Sequence, residues 1–198
     1  MKKETLEVTI CFTEPILGTV PKNKDLYADW IATKAPEVEK GEEEIETVEE
    51  IESKAWTGFH SDDNGIFIYD YMVKGHLKSA CEVMQATGEI KKISAYKKWI
   101  DLLVFVEPRR IYFDAKEPDG TLERPLRVMI AQGPRVTLTR SDFMAAGREL
   151  SFTITCMKNT KGIDKKVLIA CLEYGELVGY GQWRGSGAYG RFTVKKIK

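Results

Sequence analysis

Between residues 179 and 190 the chain reads GYGQWRGSGAYG, five glycines in twelve residues, with Tyr180, Trp183, Arg184 and Tyr189 among them. This segment follows an apolar-periodic stretch at about Asp164–Glu176 and precedes the β-patterned RFTVKKI. So many glycines in one loop mark a backbone that must come close to something. Gly185, Gly187 and Gly190 spell GxGxxG. The dinucleotide fingerprint of that spelling needs a strand before it and a helix after it, and here a strand follows and the sequence stops eight residues later. A kinase glycine loop needs catalytic segments downstream and is excluded on the same ground. Backbone N–H groups that cradle phosphate oxygens remain, with Arg184 and Arg191 as cationic forks and Tyr180, Trp183 and Tyr189 as stacking rings. A tight surface loop with its aromatics folded into the core is the alternative.

The rest of the pattern is α+β. TLEVTICF alternates and predicts a first strand. KDLYADWIATKA after Asn23 predicts a helix. WTGFH and IFIYDY around SDDNG predict a hairpin. A helix capped by Asp70 runs from about Tyr71 to Ala86, with Val73, Leu77, Ala80, Cys81 and Met84 on one face, and a second covers about Ile93–Ile100. LLVFVEP, RIYFD, RPLRVMI, RVTLTR and ELSFTITCM read as strands. With the last helix, the glycine loop and the final strand, this is the element list of a ferredoxin-like, RRM-like antiparallel sheet. The reading is one domain over residues 1–198 with a helical, acidic insertion at about 36–54.

Acidic and basic residues balance at 30 each, but residues 37–52 hold nine Glu and one Lys, a net of −8, which leaves +8 on the remainder. A basic body with one acidic block suits a polyanion binder, and the block by itself reads as a solvated helix face or loop. Four cysteines without a CxxC pair read as reduced core thiols of a cytoplasmic protein, and two histidines leave little room for a metal site. No apolar run nears membrane-spanning length and the N-terminus lacks a signal-peptide pattern. Arg124, Arg127 and Arg135 bracket one apolar strand and Arg109 and Arg110 precede another, either as edge protection or as a basic cleft wall. Asp62 and Asp63 belong first to a hairpin turn, and His60 to its flank. His76 lies beside the apolar stripe of its helix, on the flank opposite Lys74 and Lys78. It is either a partly buried helix residue or a general acid or base for RNA cleavage.

The glycine loop, set between the last helix and the last strand, resembles that of the RAMP (repeat-associated mysterious protein) superfamily, the RNA-binding subunits and crRNA-processing nucleases of CRISPR systems. The segment YMVKGHLKSA (71–80) is similar to the start of the first long helix in CRISPR effector backbone subunits. Lys74, Gly75, Leu77, Lys78, Ser79 and Ala80 match, and His76 replaces a small residue. LKSAC, AYKKWID, RPLR and GQWRGSG also resemble stretches of proteins carried by phages and prophages of Gram-positive bacteria. The resemblance implies an RRM-like core holding RNA or a nucleotide, with Lys74 and Lys78 on phosphates. On that resemblance Gly181, Arg184, Gly185, Ser186 and Gly187 form the ligand-facing loop, while Trp183 has no place in the family pattern; Gln182, Trp183, Tyr189, His76 and Arg127 are expected as further ligand contacts. It carries over no catalytic set, cofactor or metal. The expected function is non-catalytic binding of a nucleotide or RNA, in a phage-encoded protein that withholds a nucleotide immune signal or guide RNA in the host cytoplasm, possible as a homo-oligomer. A metal-independent endoribonuclease using His76 or His60 with Tyr and Lys helpers and a protein-interaction module using the acidic block are the alternatives.

Overall fold

A computed structural model describes residues 2–22, 56–130 and 133–198, with backbone alone at 126–130, 133–135 and 137. The helix expected after Asn23 and the acidic insertion at 36–54 lie outside the described residues.

Strand β1 (Lys3–Phe12) alternates as its sequence dictates, with Leu6, Val8, Ile10 and Phe12 buried and Thr5, Glu7, Thr9 and Cys11 on the other face. It is central to the main sheet. It pairs antiparallel with β11 (Glu149–Met157), Lys3 opposite Met157, and with β12 (Phe192–Ile197), Phe12 opposite Phe192. Strand β11 pairs in turn with β7 (Val104–Glu107), which gives the order β12-β1-β11-β7. Helix α1 (Asp70–Thr87) lies between β1 and β7 in the chain, and α3 (Lys165–Glu173) between β11 and β12. This is the ferredoxin-like β-α-β-β-α-β arrangement expected from the element list. Val73, Leu77, Ala80 and Cys81 of α1 and Leu168, Cys171 and Leu172 of α3 bury against the inward-facing strand residues.

Two smaller sheets flank this frame. A long hairpin, β9 (Gly120–Ile130) and β10 (Gly133–Met144), is joined near its base by β2 (Ile16–Leu17) and by β4 (Trp56–Gly58), which also pairs with β3 (Val20–Pro21). Strands β5 (His60–Asp62), β6 (Gly65–Tyr69) and β8 (Arg110–Tyr112) make the third sheet. The hairpin at SDDNG forms as expected: Asp62 pairs with Gly65, and the Asn64 amide donates to the Asp62 carboxylate at 2.9 Å.

Two boundaries differ from expectation. Asp70 is the first residue of α1 rather than its cap; Tyr69 takes the N-cap position without a side-chain bond, and the Asp70 carboxylate sits in the first turn. Helix α2 runs over Tyr96–Leu103, later than the expected Ile93–Ile100 and into what reads as a strand. The Ile93 amide donates to the Gln85 side chain at 2.7 Å and its side chain is buried, so Ile93 serves α1 and cannot begin α2.

Candidate functional site

The glycine loop is closed at its base by its own backbone. The Tyr180 amide donates to the Gly190 carbonyl at 3.0 Å, and the Gly190 amide donates to the Pro15 carbonyl at 2.8 Å. A Cβ on Gly179 would lie 1.6 Å from the Gly190 oxygen, and one on Gly190 would lie 2.0 Å from the Tyr180 oxygen. Gly181 is pressed in the same way against the Leu17 carbonyl. The close approach signalled by these three glycines is therefore to the chain itself, not to a phosphate, which corrects the ligand-facing role expected of Gly181. Gly185 alone among the loop glycines has nothing within 4 Å of a built Cβ. Tyr180 is also corrected as a stacking ring: it is fully buried against Phe12, Phe192 and His76. Burial raises its hydroxyl pKa.

The outer part of the loop faces the base of the hairpin. Trp183, 42% exposed, and the half-buried Tyr189 both contact the Arg124 guanidinium, at 4.7 and 5.1 Å from its carbon to the ring centres. Arg124 Nε and Nη2 are buried and have no hydrogen-bond partner. These two atoms form one edge of the guanidinium, the fork that grips a phosphate or carboxylate bidentately. Leaving each N–H unmade costs about 1–3 kcal/mol. Burial lowers the Arg124 pKa, but a guanidinium stays charged at neutral pH. Beside it, the Gln182 side-chain oxygen accepts from Thr57 and Ser141 hydroxyls, each at 3.3 Å, which ties loop, β4 and β10 together. Arg191, at the end of the loop, also has a buried Nε without a partner. From Arg124 to Arg140 the hairpin sequence holds four arginines and no acid. Ser186 and Gly185 are exposed at the loop tip, Gly187 packs between Trp183 and Tyr189, and Arg184 is half-buried.

The remaining expected residues lie elsewhere. Lys78 bridges to Asp101 of α2 at 2.6 Å, and Lys74 lies over the Phe105 ring of β7. Strand β7 is the opposite edge of the main sheet from β12, so these lysines do not join the glycine loop. His76 is buried and its Nε2 donates to the Cys171 carbonyl at 3.0 Å. Desolvation lowers its pKa to about 4, with the Arg184 charge adding to it, against backbone hydrogen bonding at Cys171 and Gly179. It is thus a neutral core residue that satisfies a carbonyl of the last turn of α3. In this arrangement it reaches neither ligand nor solvent, which corrects both the ligand-binding and the acid–base expectation. Arg127 sits opposite Val136 in the backbone register, and its side chain lies outside the described residues. Asp62 is held by Arg110 and the Tyr112 hydroxyl, each at 2.7 Å, and no cluster of three metal-ligating side chains occurs among the described residues.

The open face of the main sheet differs from the stacking surface an RRM-like core implies. It carries Thr5, Thr9, Ser151, Thr153, Thr155 and Thr193, a hydroxyl pair between Thr9 and Ser151, and an ion pair between Lys195 and Glu149. Phe105, at the β7 edge, is its one aromatic among the described residues. Arg124 was legible in the sequence as part of an arginine concentration. Thr57 and Ser141 carried no local signal, since their role depends on β4 meeting β10.

No helix among the described residues is long and apolar enough to cross a membrane. No protein-family model matches the chain, and no curated protein sequence matches it. Among solved structures, a chain in the cryo-EM structure of the Type III-B Cmr-beta bound to cognate target RNA superposes with a TM-score of 0.53 at 13% sequence identity. The match covers 100% of this chain and 60% of that one, so this chain spans less than two thirds of the neighbour's length. At that identity the likeness is one of fold alone.

Proposed function

We propose that this chain is a non-catalytic RNA-binding protein that holds single-stranded RNA across the outer glycine loop and the base of the β9–β10 hairpin. One observation carries the reading: the Arg124 fork, without an acceptor, lies against Trp183 and Tyr189. A phosphate oxygen pair satisfies the fork, and bases stack on the rings, a combination that is tolerant of sequence. The arginine-rich hairpin adds attraction for a polyanion. The Cmr-beta neighbour, whose structure holds target RNA, supports RNA over a small nucleotide. The burial of His76, the acid–base alternative, supports binding over cleavage. The anti-defence role belongs to the same proposal, since a chain that holds a guide RNA without cutting it withholds that RNA.

Fluorescence anisotropy with a labelled single-stranded oligoribonucleotide tests this. Arg124→Ala and Trp183→Ala are each expected to weaken binding by about tenfold or more, the loss of one charge-assisted contact or one stacked base. Arg124→Ala should also flatten the dependence of affinity on salt. Unchanged affinity in both variants, or RNA cut by the wild-type chain in EDTA, would overturn the proposal.

A further inference from the structure

Lysines gather at one end of the main sheet, away from the glycine loop. Residues 2–4, 88–98 and 158–166 hold ten lysines, three acids and no arginine. Backbone and side-chain contacts bring the three segments together. The Lys158 amide donates to the Lys2 carbonyl at 3.0 Å, and Lys3 pairs with Met157. A Cβ on Gly162 would lie 3.5 Å from the Ile93 side chain. Lys98 and Lys161 both stand over the Trp99 ring, at 5.4 and 4.8 Å from its centre. All ten lysines are exposed. Strand β1 starts at this end and finishes at Phe12, which pairs with Phe192 just beyond the glycine loop. Its ten residues separate the two ends by about 30 Å.

The charges at this end are left uncompensated. Of the ten lysines, only Lys97 has an ion-pair partner among the described residues, Glu82 at 3.3 Å. Of the three acids, Asp164 is occupied in capping α3, where it accepts from the Val167 amide at 3.0 Å. Elsewhere the surface pairs its charges: Arg110 with Asp62, Arg140 with Glu123, Arg148 with Asp119 and Lys195 with Glu149. Lys98 and Lys161, held at one ring, repel each other, and an anion between them relieves that repulsion. Helix α2 also begins here, with no side-chain cap and no acid in its first turn, which adds the positive end of its dipole. An ammonium is a compact point charge, suited to phosphates met in any orientation. None of the three segments holds an exposed large apolar side chain, so they offer neither a face that inserts into lipid nor the anchor of a protein interface.

We infer that this lysine-rich end is a second contact for RNA, one that grips the phosphate backbone without regard to sequence. The inference rests on the RNA-binding function proposed above for the nature of its ligand, but shares no residue with the loop–hairpin site. A stacked strand advances about 3.4 Å per nucleotide, so about nine nucleotides reach from one site to the other. A longer strand engages both, and its affinity rises because the second contact is made intramolecularly.

The test is fluorescence anisotropy with single-stranded oligoribonucleotides of about four and about twenty-five nucleotides, the first too short to span the two sites and the second long enough. The wild-type chain is compared with Lys92→Gln/Lys98→Gln/Lys161→Gln, with Lys92→Arg/Lys98→Arg/Lys161→Arg and with Arg124→Ala. The glutamine variant should bind the long strand about tenfold or more weakly and lower its salt slope by about 2, at about 0.7 per phosphate contact in a single strand. The short strand, held by the loop site, should lose less than about twofold. The arginine variant should bind both strands as the wild type does, because the charge is kept. Long-strand affinity and salt slope unchanged in the glutamine variant, with Arg124→Ala still weakening both strands, would overturn the lysine contact and leave the loop site intact. Weakening by the glutamine variant with none by Arg124→Ala overturns the loop site alone. A wild-type chain that binds neither strand, but binds phosphatidylserine vesicles or an acidic protein through these lysines, overturns both.

Discussion

As pH falls from about 6.5 to about 4, the protein is expected to lose about 3 kcal/mol of folding stability through His76 alone. In the fold, burial holds the ring neutral down to about pH 4; in the unfolded chain it protonates near its ordinary 6.5. Between those values the unfolded state binds more protons, so stability drops as pH falls and levels off below the folded pKa. His76→Gln keeps a donor for the Cys171 carbonyl and removes the titration. Urea denaturation at pH 7.5 and pH 4.5 should therefore give a pH-dependent loss about 2–3 kcal/mol smaller in His76→Gln than in the wild type. The carboxylates contribute equally to both proteins and cancel in the comparison. Equal losses in the two would show that His76 is not neutral in the core. His76→Ala, which leaves a hole among Tyr180, Phe192 and Tyr174 and strips the Cys171 carbonyl of its donor, should be destabilised even at pH 7.5.

Gly179→Ala is expected to cost about 3 kcal/mol, the upper end of overpacking, because the added carbon meets backbone rather than a movable side chain. Its Cβ would stand 1.6 Å from the Gly190 oxygen and 1.9 Å from the carbonyl carbon, so the two ends of the loop must part. The bond from the Tyr180 amide to Gly190 is then stretched, and Tyr180 is pulled from the aromatic core it shares with Phe12 and Phe192. Gly185→Ala, with open space around it, should stay within about 0.5 kcal/mol of wild type. In thermal denaturation the first variant should melt about 6–12 °C lower and the second almost unchanged. Equal shifts would mean that the loop is held by something other than this backbone crossing.

The consequences of these two variants were unequally legible in the sequence. A run of glycines says that a backbone comes close to a neighbour, but not to which neighbour. Gly179 and Gly190 approach each other, and Gly181 approaches β2, whose two residues, Ile16 and Leu17, are too few to register as a strand without β10 beside them. His76 lies at the margin of an apolar stripe, where a surface and a buried position look alike from spacing alone. The carbonyl that accepts its proton belongs to Cys171, ninety-five residues away. Lys74 and Lys78 point to the β7 edge because α2 and Phe105 stand there, which helix spacing cannot reveal.

Strand alternation at β1 and β11, the hairpin turn at Asp62–Gly65, and the α1 and α3 stripes were settled by local residue order. In each, backbone geometry couples neighbouring side chains to one face, so a few adjacent residues suffice to determine the element and its buried side. The ferredoxin-like frame follows from their order along the chain. Which side chains meet across that frame was decided only by the tertiary structure. The Arg124 stack joins β9 to a loop about sixty residues later, and the rings of His60, Tyr69 and Tyr71 meet from β5, β6 and α1. Such contacts arise from the packing of whole elements, and no local pattern encodes them.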